Sequence, residues 1–552
     1  MPDRSGLRAQ GPMLLLAAAV VAAAALLLTL GSRLTFLLDD WEFLLYRPGF
    51  TAHSILTPHG EHIAIAPILI YKALLATVGM SSSLPFLAVS IALYLTTSIL
   101  LFVYLRRRVD PWLALLATTI VLFLGPAFDD LLLIQMGFFG SLACGLGALL
   151  LLERGDRRGD RLACALLTVG LTFSSLGLPF VVAACVDVGL RGERVRRLYV
   201  VAVPIVLYAT WWAGWGHNGD TAISLHNAGA TPAFVVDAAA GVFASLFGLV
   251  GTVGASGLDW GRPLLVAALA LGAWRLFRMG RVPKGLWIAL ALAATFWVLA
   301  GLNVKPGRGP TVSRYELIGA VFVLMVAAEL LRGVRVSRGG ILVAYVAGAA
   351  ILASNLSILH DAYIAYRNTS DLVKADLGAV EIARDRLAVT PIVLTEDIAD
   401  TLYVPVRSGL YLPAADKYGS PADSPAQLAA APEPARVAAD KVLGRALGLS
   451  FGAVQGSAGT YRHGSCTKLG GGSTAGILRL PPGGAIVSAS PQAGAQVSFR
   501  RFATASFPLD GAQLAAGQAS VIQIPTDRAT EPWEMELSSP AAATLCGGLS
   551  SQ

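Results

Sequence analysis

The chain has 552 residues, 55% of them hydrophobic and 14% charged, with a mean hydropathy of +0.64. Soluble domains carry about 25% charged residues, so this composition argues against a soluble globular protein. It predicts a polytopic membrane protein built on apolar runs of spanning length, roughly 17–25 residues each. The net charge of +7 comes largely from arginine clusters at 106–108, 154–161, 191–197 and 275–281. These mark cytoplasmic loops by the positive-inside rule, and without interleaved aromatics they do not indicate a nucleic-acid partner.

In chain order, Arg4 and Arg8 precede an apolar stretch from Met13 to Leu30 that offers no small-x-small cleavage site, so it reads as a retained span with a cytoplasmic N-terminus. Residues 63–79 and 84–105 are both apolar. If both crossed, the triple arginine that follows would lie outside, so 63–79 is expected to lie along the outer surface and 84–105 to cross inward. Further spans are expected at 112–126, 137–152, 198–213, 262–278, 286–302, 315–331 and 341–358. The stretch 162–190, broken at SSLGLP (174–179), should enter and return as a hairpin. Residues 214–232 read as a polar loop, and 233–253 as a span or a re-entrant helix. The fold class is thus a polytopic α-helical membrane protein of about ten to twelve transmembrane helices with outer juxtamembrane helices. Its membrane domain covers 1–360, with a first outer loop at 33–83.

After residue 360 no further span follows, and the topology places residues 361–552 outside the cell as an α/β domain. Helical spacing marks DLVKADLGAVEIARDRL. From about residue 450, short β-branched and aromatic runs between turn signals predict a β-sandwich. Cys466 and Cys546 are the two cysteines of this tail, and an oxidising compartment permits a disulfide between them.

Four polar groups fall on the outer side by this topology: Asp39-Asp40; His59, Glu61 and His62; Asp129-Asp130; and Lys305, Arg308, Arg314 and Tyr315. Charges at a bilayer edge are costly unless paired or functional. Each has a structural explanation beside the functional one: a helix N-cap for Asp39 and Asp40, a polar turn for His59–His62, a solvated loop end for Asp129 and Asp130, and a snorkelling cation for Arg314. The functional explanation is favoured for the Asp39-Asp40 pair and for Arg314, which beside Tyr315 suits an anionic headgroup or phosphate. Carboxylates at such a face can take a proton from an attacking sugar hydroxyl, while basic residues hold a leaving phosphate. The pair could instead hold a divalent metal, Mg, Mn or Ca, against that phosphate. The histidine spacing is not that of H-E-x-x-H, so it gives little support for zinc.

The acidic pair at 39–40, the juxtamembrane stretch HGEHIAIAPILIYKALLATVG before a span ending in RRR, the hairpin VGLTFSSLGLPFVVAA and the late SRYE together resemble the GT-C superfamily of integral membrane glycosyltransferases. That superfamily includes protein mannosyltransferases, aminoarabinose transferases and arabinosyltransferases. A lysine common in the family's hairpin is absent here. The resemblance covers about residues 12–358 and implies an inverting enzyme. Its donor would be a polyprenyl-phosphate-linked sugar, and its acceptor a cell-envelope glycan, lipid or protein. It assigns the base, or a metal contact, to Asp39 with Asp40 assisting, a second acidic position to Asp129 or Asp130, and the donor phosphate to Arg314. An outer C-terminal domain is likewise similar to arabinosyltransferase-like members.

Two other readings remain at this stage. A lipid-linked saccharide transporter or flippase would carry paired repeats and ionisable groups near the membrane midplane. A non-enzymatic anchor presenting a glycan-binding β-domain would leave the acidic pair unexplained. The Ala/Gly/Arg-heavy, Lys-poor composition hints at a GC-rich bacterial genome.

Overall fold

The computed structural model describes residues 4–190, 194–394, 405–453, 466–469, 472–481 and 483–547, so Arg191 of the third arginine cluster lies outside the described residues. The chain divides into two units. The first comprises Met1–Arg33, Arg47–Thr77 and Leu84–Tyr366; the second comprises Leu34–Tyr46, Val78–Ser83 and Arg367–Gln552.

The first unit is helical. Among the described residues, five helices are long and apolar enough to cross a membrane: Gln10–Gly31, Leu84–Arg106, Leu225–Leu246, Lys284–Leu302 and Arg338–Ile382. A sixth candidate is the pair Pro111–Leu122 and Gly125–Leu132, bent by 45°. The protein is therefore a polytopic helical membrane protein; an expected count of ten to twelve would also need shorter apolar helices such as Met136–Leu152 and Tyr199–Gly214. Met136–Leu152 packs against Leu84–Arg106 on one side and Arg157–Phe173 on the other. The hairpin expected at 162–190 is present as helices Arg157–Phe173 and Gly177–Leu190. At the break between them, the Ser174 Oγ accepts from the Leu176 N–H at 3.2 Å.

Two local readings are corrected. The span expected over 112–126 ends at Leu122 and bends, because Pro126 cannot donate to a continuing helix and Gly125 lies against the Asn355 carbonyl, 1.9 Å from where a Cβ would stand. The polar loop at 214–232 turns helical at Leu225, because the Ser224 Oγ accepts from the Asn227 N–H and caps the helix. The composition change expected near 360 falls inside one element, because the helix Arg338–Ile382 runs unbroken for 45 residues, and the unit boundary lies within it at Tyr366.

The second unit incorporates Leu34–Tyr46 and Val78–Ser83, parts of the loop expected over 33–83. Trp41 is fully buried and packs edge-on against Phe36 at 6.0 Å and Tyr411 at 6.1 Å. The Thr35 N–H donates to Ser370 Oγ at 3.2 Å, the Tyr46 hydroxyl donates to the Pro405 carbonyl at 2.6 Å, and the Met80 N–H donates to the Tyr418 carbonyl at 2.8 Å. Burying an indole of this size contributes roughly 2–3 kcal/mol, which explains why Leu34–Tyr46 partitions here rather than with the spans.

Among the described residues, eleven strands follow in this unit. Val393–Leu394 (β1) pairs antiparallel with Val406–Arg407 (β2). The others are Ser450–Ala453 (β3), Cys466–Leu469 (β4), Gly472–Arg479 (β5), Gly483–Ser488 (β6), Ala495–Arg500 (β7), Phe507–Leu514 (β8), Ala519–Ile524 (β9), Glu534–Ser539 (β10) and Ala543–Gly547 (β11). They form antiparallel sheets ordered β5-β10-β7-β8 and β3-β9-β6-β11-β4, the two sheets that a sandwich requires. Alternation sets the buried faces: Val497 and Phe499 on β7 and Met535 and Leu537 on β10 are buried. Cys466 and Cys546 stand directly opposite on β4 and β11 and are joined by a disulfide. It closes a loop across 80 residues of sequence, a constraint worth about 4 kcal/mol in the chain-entropy picture.

Candidate functional site

Asp39 and Asp40 belong to the second unit, while His59, Glu61, His62, Asp129, Asp130, Lys305, Arg308, Arg314 and Tyr315 belong to the first. Asp40 opens the short helix Asp40–Leu45. It is buried, and its Oδ2 accepts from the Leu37 N–H at 3.0 Å. That bond closes a turn in which Leu38 takes φ +50°, among the described residues the only non-glycine with positive φ. A γ-branched residue there costs about 1 kcal/mol, and the Asp40 carboxylate helps to hold it. Asp39 occupies the N-cap position, yet its side chain makes no cap hydrogen bond, and it is exposed. The N-cap explanation therefore accounts for neither carboxylate.

The His59–His62 stretch is a tight turn. The His59 N–H donates to the His62 carbonyl and the His62 N–H to the His59 carbonyl, each at 2.9 Å, and Gly60 supplies φ +55°. Glu61, at the tip, is ion-paired with Arg308 and lies 3.4 Å from His62 Nε2. The Gly60 carbonyl accepts from the Asp220 N–H at 3.0 Å, and Asp220 pairs with Lys305 at 2.7 Å. Trp211 Nε1 donates to the Leu56 carbonyl at 2.8 Å. Glu61, Arg308 and Lys305 thus tie together loops from three parts of the chain. Burial would raise the Glu61 carboxyl, but His62 and the Arg308 guanidinium outweigh it and hold the group below its ordinary range. Burial pushes the His62 imidazole down to about 4 against the pull of Glu61, with His59, Arg308 and Arg314 adding to the depression. At neutral pH His62 is uncharged, and Arg308 is the lasting counter-charge of Glu61.

Asp129 and Arg314 come together in one cavity. The helix Ser313–Leu330 begins beside the short helix Phe128–Leu132, and the Asp129 N–H donates to Ser313 Oγ at 2.9 Å. The Tyr366 hydroxyl donates to Asp129 Oδ1, which fixes that oxygen and turns the carboxylate by one side only. Both Asp129 and Arg314 line a cavity of about 280 Å³ with Phe128, Val250, Thr311 and Glu316. Among the described residues Arg314 makes no side-chain hydrogen bond or ion pair, although it acts electrostatically on His62, Asp129, Asp130 and Tyr315. Tyr315 instead packs edge-on against Phe234 and Phe296, at 6.0 Å each, as part of an aromatic cluster. Asp130 is 1% exposed, and neither of its oxygens has a hydrogen-bond partner among the described residues.

Two features escaped the sequence reading. Glu316, quoted only as the end of SRYE, is buried on the cavity wall, where the Ser245 hydroxyl donates to its Oε2 at 2.8 Å. The arginine at 108, read only as a topology signal, is buried and ion-paired with Glu329 and Glu153. The signal for both was an acidic residue set inside an apolar run, Glu316 and Glu329 in 313–330.

Among the described residues, no group of three or more His, Cys, Asp or Glu is arranged to hold a metal ion. No family model, curated protein or solved structure matches the chain.

Proposed function

We propose that the protein is a membrane glycosyltransferase that moves a sugar from a polyprenyl-phosphate donor to a cell-envelope acceptor, with the cavity of Asp129 and Arg314 holding the donor's head. The observation that carries this is a half-buried guanidinium, without an ion-pair partner among the described residues, lining a cavity beside a positioned carboxylate. Arginine in such a place suits phosphate. The volume is near the lower end of the roughly 300–1,000 Å³ typical of small-molecule sites. It has room for a head group, while the isoprenoid stays in lipid.

In this reading the acceptor hydroxyl attacks the anomeric carbon as the bond from that carbon to the phosphate oxygen breaks, inverting the configuration. The hydroxyl proton passes to Asp129 Oδ2, because Oδ1 is already engaged by Tyr366. Arg314 neutralises the charge that develops on the departing polyprenyl phosphate. The N-terminus is cytoplasmic, the C-terminal domain lies outside the cell membrane, and the shorter apolar helices complete ten to twelve crossings. The resemblance gives the base to Asp39 instead. Release of polyprenyl phosphate by the purified full chain decides between the two: Asp129→Asn abolishes it if Asp129 is the base, and Asp39→Asn abolishes it if Asp39 is. Full turnover in both variants and in Arg314→Gln would overturn the proposal.

A flippase is the second reading. It is favoured by a second cavity, lined by Arg108 and by Glu153, near the opposite end of the helix Ser313–Leu330. Glu316 and Glu329 lie about 20 Å apart along that helix. Movement of labelled lipid-linked sugar between leaflets without any transfer would support it.

A further inference from the structure

The second cavity, about 470 Å³, lies at the arginine-rich end of the membrane unit. Its lining includes four cations, Arg107, Arg108, Lys284 and Arg332, and two carboxylates, Glu153 and Asp187. Arg108 is only 8% exposed and is held rigidly: its guanidinium stacks 3.4 Å from the Tyr104 ring centroid and pairs with Glu153 and Glu329. Arg332 also reaches Glu329, at 3.1 Å. Asp187 shares Arg197, at 3.6 Å, with Asp160. Among the described residues, the cations Arg107, Arg108, Arg197, Lys284 and Arg332 outnumber the carboxylates they face, Glu153, Asp160, Asp187 and Glu329, by one. Among the described residues Lys284 has no carboxylate partner; its ammonium donates only to the Leu190 carbonyl, at 3.0 Å. It begins the helix Lys284–Leu302, whose first turn has no side-chain cap, so the helix dipole adds to the same positive field. Leu149, Leu152 and Ile288 supply an apolar wall.

We propose that this cavity binds the phosphodiester head group of an anionic lipid. One surplus positive charge matches one phosphodiester charge, the rigid Arg108 is already desolvated, and the apolar wall suits the first carbons of the lipid tails. The proposal is independent of the outer cavity and of any transfer reaction.

Native mass spectrometry of the detergent-purified full chain tests it, with phosphatidylglycerol and phosphatidylcholine as probes. The wild type retains phosphatidylglycerol in preference. Lys284→Gln and Arg332→Gln, both at exposed side chains, each weaken phosphatidylglycerol retention about fivefold, the effect of one cation at a charged membrane surface, and leave phosphatidylcholine retention unchanged. Arg161→Gln, at an exposed position of the helix Arg157–Phe173, leaves both unchanged. Equal retention of the two lipids by the wild type, or unaltered retention in Lys284→Gln and Arg332→Gln, overturns the site. Displacement of phosphatidylglycerol by equimolar inorganic phosphate overturns the lipid as its occupant.

Discussion

Two aspartates buried to the same degree are treated in opposite ways by the two units. Asp440, on the helix Glu433–Leu447 of the second unit, is 0% exposed and accepts the backbone N–H groups of Arg501, Phe502 and Ala503 at 2.8–3.1 Å. Asp130, in the first unit, is 1% exposed and has no hydrogen-bond partner among the described residues. A buried carboxylate with three donors fixes a chain crossing, whereas one without donors lowers stability and persists where function requires it. The first is architecture; the second stands beside Asp129 and within the field of Arg314.

The largest expected effect that follows from this contrast is on turnover. Arg314→Gln lowers kcat/KM for sugar transfer by about 10²–10³-fold, the cost of removing one donor to a developing oxyanion, with the unfolding temperature unchanged. Next comes stability in the second unit. Asp440→Ala leaves three backbone N–H groups without an acceptor and costs about 3 kcal/mol or more, read as a lower unfolding temperature of the full chain. Asp130→Asn breaks no described hydrogen bond, so it shifts the unfolding temperature far less than Asp440→Ala does. A destabilisation equal to that of Asp440→Ala would erase the contrast between the two aspartates. The smallest effect concerns pH. His62 takes a proton near 6.5 in the unfolded chain but at about 4 in the folded protein. Between those values the unfolded chain holds more protons, so stability falls as the pH is lowered through that window. His62→Gln flattens that dependence, and the imidazole signal of labelled His62 titrates near 4 in NMR.

The elements that were legible in the sequence are those with a single dominant cause. The Gly31 end of the first span and the hairpin break at Ser174–Leu176 follow from apolar length and from a cluster of helix-weakening residues. The strands of the tail follow from period-two alternation. The helix Arg338–Ile382 was not legible as one element, because Asp361, Arg367 and Asp371 end its apolar run without ending its helical propensity. The assignment of Asp39 and Asp40 to the second unit was hidden for another reason: it is set by Trp41 packing on Tyr411, a contact spanning hundreds of residues. Of the candidate site, Asp129 and Arg314 were nameable one by one, but their shared cavity depends on Ser313 Oγ receiving the Asp129 N–H. No local pattern encodes that bond.

The most direct test is photo-crosslinking with a diazirine-bearing polyprenyl-phosphate sugar, followed by peptide mapping of the full chain in lipid vesicles. Labelling is expected on Val250, Thr252 and Ile358, which line the cavity of Asp129 and Arg314, with loss of that labelling in Arg314→Gln. Labelling confined to other segments, or equal labelling of Val250, Thr252 and Ile358 in the wild type and Arg314→Gln, would contradict the assignment of this cavity to the donor.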